Sequence, residues 1–344
     1  MCYNRGMKIV FFEVPKAEQD FFSQALKGTN VSFYEEKLTE ENVGKASEAE
    51  IISVFTNSVV SKNIIDMLPG LKFINTNSTG YDHVDINYCK EKGIAVSNVP
   101  VYGSQTVAEF TFGLLLNLSR RIYWGYHQLR EGTSFDLSQL EGFDLEGKTL
   151  GVVGTGKIGQ NVVQIAKGFR MNVVATDPFP KPELAKEFGF EYVSLDDLLS
   201  QADIVTVHVP YLPETHHLLN SNNLAKIKKG AVLINTARGE IVETEGLLSA
   251  LKDGRIKAAA LDVLEGERDL KEESIFISTP DSKIERMEKM RKLVEDHILI
   301  DLPNVIVTPH MAFFTKEAVG RIMQTTVDNI KNFIAGKPGN IVNK

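Results

Sequence analysis

The stretch TLGVVGTGKIGQNVVQIAKGF at 149–169 restricts the fold of this chain more than any other. Gly154, Gly156 and Gly159 form G-x-G-x-x-G directly after an apolar, β-branched run and at the start of a helical pattern. In a strand–turn–helix unit the first glycine permits the tight turn and the second lets backbone approach a pyrophosphate. The third lets helix and strand pack closely. The helix start then offers amide hydrogens and a positive dipole end. Asp177 closes the next strand candidate, 18 residues after Gly159, where a carboxylate can accept hydrogen bonds from ribose hydroxyls. Taken alone, the triplet also fits a turn without a ligand, and Asp177 fits the cap of a turn before Pro178. Strand, glycines, helix, strand and acid in that order point to a dinucleotide site.

The rest of the chain repeats this alternation. KIVFF, VSFY, IISVF, KFINTN and AVSN read as strands in the first third, with helical stretches between them. TLGVVG, NVVATD, DIVTVHV, AVLINTA and AAALDV form a second series, and VIVT at 305–308 is the last strand. The fold class is therefore α/β, with helices covering parallel sheets. DINYCKEKG runs from an N-cap candidate at Asp85 to a glycine stop at Gly93, and Thr315 can cap a final helix reaching Ala335. Ser104 to Arg121 leaves little polar face, so a buried boundary helix is expected there. Residues 268–302 carry Ile284, Met287, Met290, Leu293 and Val294 at helical spacing, read as one amphipathic helix.

Composition narrows the class. A chain of 344 residues suggests two domains. The net charge of -7, with no basic cluster, argues against nucleic acid. Cys2 and Cys89 are the only cysteines, which leaves no disulfide framework or cysteine-zinc site and points to a reducing cytoplasm. The seven histidines show no H-E-x-x-H spacing, so no metal is expected. MCYNRG lacks a signal peptide's apolar core and reads as a disordered extension, and FGLLLNL is too short to span a membrane.

Three ionisable residues sit at or just beyond the C-terminal ends of strand candidates, where open α/β sheets place their crevice. They are Arg238 in LINTARGE, Glu267 in LDVLEGE and His310 in VIVTPHMAFF. Singly, they fit a surface ion pair, a solvated loop charge and a satisfied histidine at a domain boundary.

Together with STGYDHVD, VPVYGSQTVAEF, GVVGTGKIG, HVPYLPETHHL and the ending VIVTPHMAFFTKEAV, these segments resemble the D-isomer-specific 2-hydroxyacid dehydrogenases over nearly the whole chain. HMAFFT and the long segment before it look most like the D-lactate dehydrogenase branch, including its relatives in vancomycin-resistance clusters. The resemblance implies two Rossmann-like domains: a discontinuous catalytic domain (1–101 and 303–344) and an inserted NAD-binding domain (102–302), with the active site in the cleft. It also implies a homodimer joined through the cofactor domain and the long helix after residue 102.

The resemblance assigns roles as well. Arg238 would hold the substrate carboxylate and polarise the keto oxygen, His310 would be the acid/base, and Glu267 would orient the histidine. Thr79 and Gly80 would complete carboxylate binding through backbone amides, and Phe55, Tyr102 and Phe313 would wall an apolar side-chain pocket. Lys157 and Ile158 would meet the pyrophosphate of NAD, Asp177 the ribose, and Val209, Pro210 and Thr215 the adenosine side. Thr236, Ala237 and Asp262 would hold the nicotinamide half. Two departures stand out: Gly103 and Ser104 replace the family's usual Ser-Pro pair, and 43 residues separate Glu267 from His310, more than in the family's short form.

A guanidinium fork binds a carboxylate at two points, and an imidazolium can neutralise the oxygen of a carbonyl that accepts hydride. Pyruvate is the expected substrate. Glyoxylate, hydroxypyruvate, branched 2-oxo acids, phosphite and formate are alternatives within enzymes, with Glu267 speaking against formate dehydrogenases, which place glutamine there. A non-enzymatic NAD-sensing scaffold of the C-terminal-binding-protein type shares the fold and the three residues, but the chain has no basic nuclear-targeting run.

Overall fold

The computed structural model describes residues 6–267, 270 and 283–344, with side chains omitted for 283–286. The chain divides into two compact units, residues 6–102 with 315–344 and residues 103–314.

The first unit contains β1 (Lys8–Phe11), α1 (Lys16–Ala25), β2 (Asn30–Phe33), β3 (Ile51–Val54), α2 (Lys62–Asp66), β4 (Phe73–Thr76), α3 (Ile86–Glu91) and β5 (Ala95–Ser97). The last helix of the chain, α12 (Lys316–Ile334), completes it. Its sheet runs β2-β1-β3-β4-β5 with every pairing parallel. β3 and β4 are buried along their whole length, as their unbroken runs IISV and FINT require of strands covered on both faces. Asp85 and Thr315 cap their helices as expected, accepting from the N–H of Tyr88 and of Ala318. Phe333 of α12 stacks on Phe73, 4.3 Å between ring centroids. A buried polar cluster fixes the same helix: Asn329 Nδ2 donates to Asn75 Oδ1 (2.9 Å) and Thr326 Oγ1 to Asn77 Oδ1 (2.9 Å).

The second unit contains α4 (Ser104–Arg120), α5 (Ile122–Gly132), β6 (Thr149–Val153), α6 (Lys157–Gly168), β7 (Asn172–Thr176), α7 (Pro182–Phe188), β8 (Glu191–Tyr192) and α8 (Leu195–Gln201). It continues with β9 (Ile204–Val207), α9 (Ser221–Leu224), β10 (Ala231–Asn235), α10 (Thr244–Lys252), β11 (Ile256–Leu261), α11 (Lys283–Asp301) and β12 (Val305–Val307). The sheet order is β12-β11-β10-β9-β6-β7-β8, again parallel throughout, and the strand order reverses between β6 and β9. α4 buries Val107, Ala108, Phe112, Leu114, Leu115 and Leu118, in keeping with its apolar sequence.

Three features differ from the sequence reading. β12 pairs with β11, so residues 303–314 belong to the second unit and the boundary falls after Phe314 instead of after residue 302. The two-residue edge strand β8 carries too short a pattern to be read. α11 turns its expected apolar stripe outward, with Met287, Met290 and Val294 exposed while Asp296 and Leu299 are buried. The helix packs on α10 and β12, and its Asp296 meets the loop at Gly266. The Ile284 side chain and residues 1–5 of the expected N-terminal extension lie outside the described residues. Among the described residues no helix is long and apolar enough to cross a membrane.

Candidate active site

Because the second sheet is parallel, β6, β9, β10, β11 and β12 all end on one edge, and the segments that follow them form its rim. The glycine loop, Asp177, Arg238 and His310 lie in or beside those segments.

The glycine loop follows β6 at the point where the strand order reverses. Gly154 takes φ +96°, a left-handed conformation that glycine adopts without steric cost. A Cβ there would stand 2.8 Å from Val209, and one at Gly159 would collide with the Gly154 carbonyl. At Gly156 nothing lies within 4 Å of the Cβ position, so the backbone is open to an approaching group. α6 begins at Lys157, and the N–H groups of Lys157 and Ile158 precede any helical acceptor. This is a seat for an anion such as a pyrophosphate.

Asp177 ends β7 beside the loop. Its Oδ2 accepts from Thr155 N (2.7 Å) and Thr155 Oγ1 (2.9 Å), and its Oδ1 accepts from Phe179 N (2.9 Å). The turn cap and the placement next to the glycines are therefore both present in one side chain. Beyond β9, Thr215 Oγ1 donates to Pro210 O (2.7 Å) and accepts from Leu212 N (2.8 Å), which closes the loop carrying Val209 and Pro210. Burial pushes the neighbouring His208 imidazole down to about 3, so it is neutral there.

After β10, Asn235 ties the next turn at both ends, accepting from Ala237 N (3.0 Å) and donating to Arg238 O (2.8 Å). Arg238 is half-buried, and its Nη1 donates to Ala237 O (2.8 Å). The Thr236 hydroxyl lies 3.1 Å from that of Thr111 in α4.

His310 follows β12 with φ +54°, a strained conformation for a non-glycine residue that its surroundings must hold. Asp262 holds it. Its carbonyl accepts from His310 N (2.9 Å), and its buried carboxylate accepts from Thr308 Oγ1 (2.5 Å), Met311 N (2.9 Å) and Ala312 N (2.8 Å). Burial raises the Asp262 pKa, and these three bonds oppose the rise. The His310 Nδ1 lies 3.0 and 3.1 Å from the two Glu267 oxygens. A carboxylate can only accept, so Nδ1 carries the hydrogen and Nε2 is the atom left for chemistry. Both side chains are about a quarter exposed, His310 25% and Glu267 23%, so the pair is partly shielded yet reachable.

Phe313 also lies in the second unit, while Phe55, Thr79, Gly80 and Tyr102 lie in the first. Thr79 Oγ1 donates to Val99 O (2.8 Å), and Thr79 O accepts from Asn98 Nδ2 (2.7 Å). Ser78 Oγ donates to Gly80 O (2.6 Å), so the loop is fixed through its oxygens. The Tyr102 carbonyl accepts from Arg321 Nε (2.5 Å).

Sequence reading missed two acidic residues that shape these segments. Glu13, at φ +60°, accepts from Phe55 N (3.1 Å), Asn57 N (3.2 Å), Ser58 N (3.0 Å) and Ser58 Oγ (2.5 Å), and so sets the turn after β3. Glu265, its side chain 4% exposed, accepts from His217 Nε2 (2.9 Å), Thr244 Oγ1 (2.9 Å), Thr244 N (3.2 Å) and Lys292 Nζ (2.8 Å). Burial alone would raise its pKa, but these donors hold it down at about 2. No linear pattern announces either residue, since their partners lie 21 to 48 positions away.

Residues 112–312 match the family described as D-isomer specific 2-hydroxyacid dehydrogenase, NAD binding domain. The D-lactate dehydrogenase of Escherichia coli is 35% identical over 335 residues, 96% of this chain and 98% of that protein. The hydroxypyruvate reductase of Blautia hydrogenotrophica is 34% identical, over 89% of this chain and 88% of its own. Among solved structures, the D-lactate dehydrogenase of Aquifex aeolicus, complexed with NAD and lactic acid, superposes with a TM-score of 0.85 at 34% identity, covering 98% of this chain and 99% of that one. A glycine cradle open at Gly156, an acid beside it and a histidine–glutamate pair on the same sheet edge fit that likeness, and the chain belongs to the D-isomer-specific 2-hydroxyacid dehydrogenase family, with NAD as its cofactor.

Proposed function

We propose that this dehydrogenase reduces a small 2-oxo acid, pyruvate foremost, to the D-2-hydroxy acid. The observation that carries the reading is the His310 Nδ1 contact with both Glu267 oxygens on the edge that also bears Arg238. When bound, the reduced nicotinamide supplies the hydride that reaches the carbonyl carbon. The Arg238 fork binds the substrate carboxylate and polarises the keto oxygen. Protonated His310 transfers its Nε2 hydrogen to that oxygen as negative charge develops, leaving a neutral imidazole. Glu267 favours the charged imidazole beforehand and keeps it oriented. Atoms balance as one 2-oxo acid, one NADH and one proton giving one 2-hydroxy acid and NAD.

The N–H groups of Thr79 and Gly80 complete carboxylate binding in this proposal, and Phe55, Tyr102 and Phe313 wall the side-chain pocket. On the cofactor, Lys157 and Ile158 meet the pyrophosphate, Asp177 the ribose, and Val209, Pro210 and Thr215 the adenosine side. Thr236, Ala237 and Asp262 hold the nicotinamide half. None of the three proposed wall residues carries a charge, which favours pyruvate over oxaloacetate or 2-oxoglutarate. Hydroxypyruvate is the second reading, supported by the similar identity to the Blautia reductase.

We further propose a cytoplasmic homodimer joined through the second unit. α5 has no buried residue and exposes Ile122, Tyr123, Tyr126 and Leu129, with Phe135 and Leu137 exposed beyond it, an apolar surface larger than isolated side chains require. The deciding experiment follows NADH loss with 2-oxo acids of graded side-chain size and charge, with chiral analysis of the product. Pyruvate should give the highest kcat/KM and D-lactate. Faster turnover of a dicarboxylate would overturn the pocket assignment, and no turnover of any 2-oxo acid would favour the sensing scaffold.

A further inference from the structure

Glu267 is only as well placed as the backbone that carries it. That backbone, Leu264–Gly266, is pressed from two sides. A Cβ on Gly239, next to Arg238, would collide with Leu264 and with the Glu265 nitrogen, and a Cβ on Gly266 would collide with Asp296 Oδ2. Both glycines are needed for close approach. The Glu265 side chain then gathers His217, the first residue of α10 (Thr244) and Lys292 of α11 onto the same peptide. Lys292 and Asp296 stand one turn apart on α11, so one helix face meets two successive residues of the loop. Leu264 O in turn accepts from Glu267 N (3.3 Å).

We propose that Lys292, Asp296 and Glu265 are positioning residues for the acid/base pair: α11 clamps the Glu265–Gly266 peptide, and the clamp holds Glu267 against His310 Nδ1. This rests on the reading of Glu267 and His310 given above. It also explains why α11 buries a carboxylate while exposing Met287, Met290 and Val294: Asp296 is the side chain that meets the loop. The same clamp reaches the turn of Arg238, because Gly239 abuts the gripped peptide.

The test is a double-mutant cycle between Lys292 and Glu267, read as kcat, KM for pyruvate and the pH dependence of kcat/KM in both directions, with NADH affinity and Tm as controls. Lys292 is 43% exposed, and Tm reports any loss of stability in Lys292→Met. Lys292→Met should lower kcat by about ten-fold, part of the 10²–10⁴ that positioned acid catalysis contributes, with KM and NADH affinity within about three-fold. Its alkaline limb for reduction should move to lower pH, in the direction of Glu267→Gln. In a Glu267→Gln background, Lys292→Met should have no further effect on kcat or the limb, since it acts through Glu267. Lys292→Arg should restore both, and Asp296→Asn, which keeps the shape, should leave the limb close to wild type. Equal fold losses in the two backgrounds, or a fall in kcat with an unmoved limb, would overturn the clamp while leaving the acid/base reading intact. Wild-type kinetics in Glu267→Gln itself would overturn both.

Discussion

Arg238, His310 and Asp177 each sit in a turn tied by hydrogen bonds to neighbouring side chains or backbone. Arg238 projects from a turn tied at both ends by Asn235, and its Nη1 donates to Ala237 O. Arg238→Lys keeps the charge and loses the fork, and kcat/KM for pyruvate should fall by on the order of 2–4 kcal/mol; a variant within a few-fold of wild type would remove Arg238 from the site. In the proposed mechanism reduction requires the His310 imidazolium and oxidation the neutral ring, so the two directions should show opposite pH limbs. Glu267→Gln should move both limbs to lower pH, whereas His310→Gln should depress both directions at every pH, and kcat/KM profiles of the three proteins decide this. Asp177 is held by Thr155 and Phe179, and in the proposed ribose role its carboxylate would repel a phosphate there. A strong preference for NAD over NADP follows, and comparable efficiency with NADPH would contradict it.

At the scale of elements, sequence and structure agree where one strong local force acts. The apolar runs IISV and FINT are strands, the glycine triplet opens α6, and Asp85 and Thr315 cap helices, because periodicity, left-handed backbone and capping are local matters. The places of Arg238, Glu267 and His310 after β10, β11 and β12 were legible because each lies in a segment that follows an apolar strand pattern. Glu13, Glu265 and the inward face of α11 were not, because each is defined by partners supplied through tertiary packing. α11 shows the limit most clearly. Its apolar residues have helical spacing, yet burial falls on Asp296, whose carboxyl is pushed up to about 7 by desolvation, with Glu265 and Glu295 adding to the rise and Lys292 and the Gly266 amide opposing it. A folded-state pKa raised above the unfolded value of about 3.9 means that the native state binds the extra proton between these values. Stability from this group is therefore present at low pH and is lost as pH rises from about 4 through about 7. Asp296→Asn should raise Tm by roughly 2–6 °C at pH 8 and by less at pH 5, as thermal melts at the two pH values would show. Equal shifts at both would mean that the carboxyl titrates normally.

On the scale of the whole molecule, the first unit is made from both ends of the chain and the second from the continuous stretch between them. The cofactor seat and the His310–Glu267 pair all belong to that continuous stretch, while the buried asparagine cluster of the first unit needs Thr326 and Asn329 from α12. During synthesis, then, β1 to β5 emerge well before α12, which covers their sheet, and Val96 gains its Val342 partner only after α12 has followed. Residues 103–314 can complete their own sheet while the earlier segment is still unfinished. A chain ending after Phe314 should accordingly bind NADH and keep a cooperative melting transition, with residues 6–102 open to protease; loss of NADH binding by that chain would show that the interior stretch does not fold by itself. Residues 6–102 are thus secured only once 315–344 have followed them, and a nascent polypeptide of this kind depends on protection of the earlier segment until the later one is made.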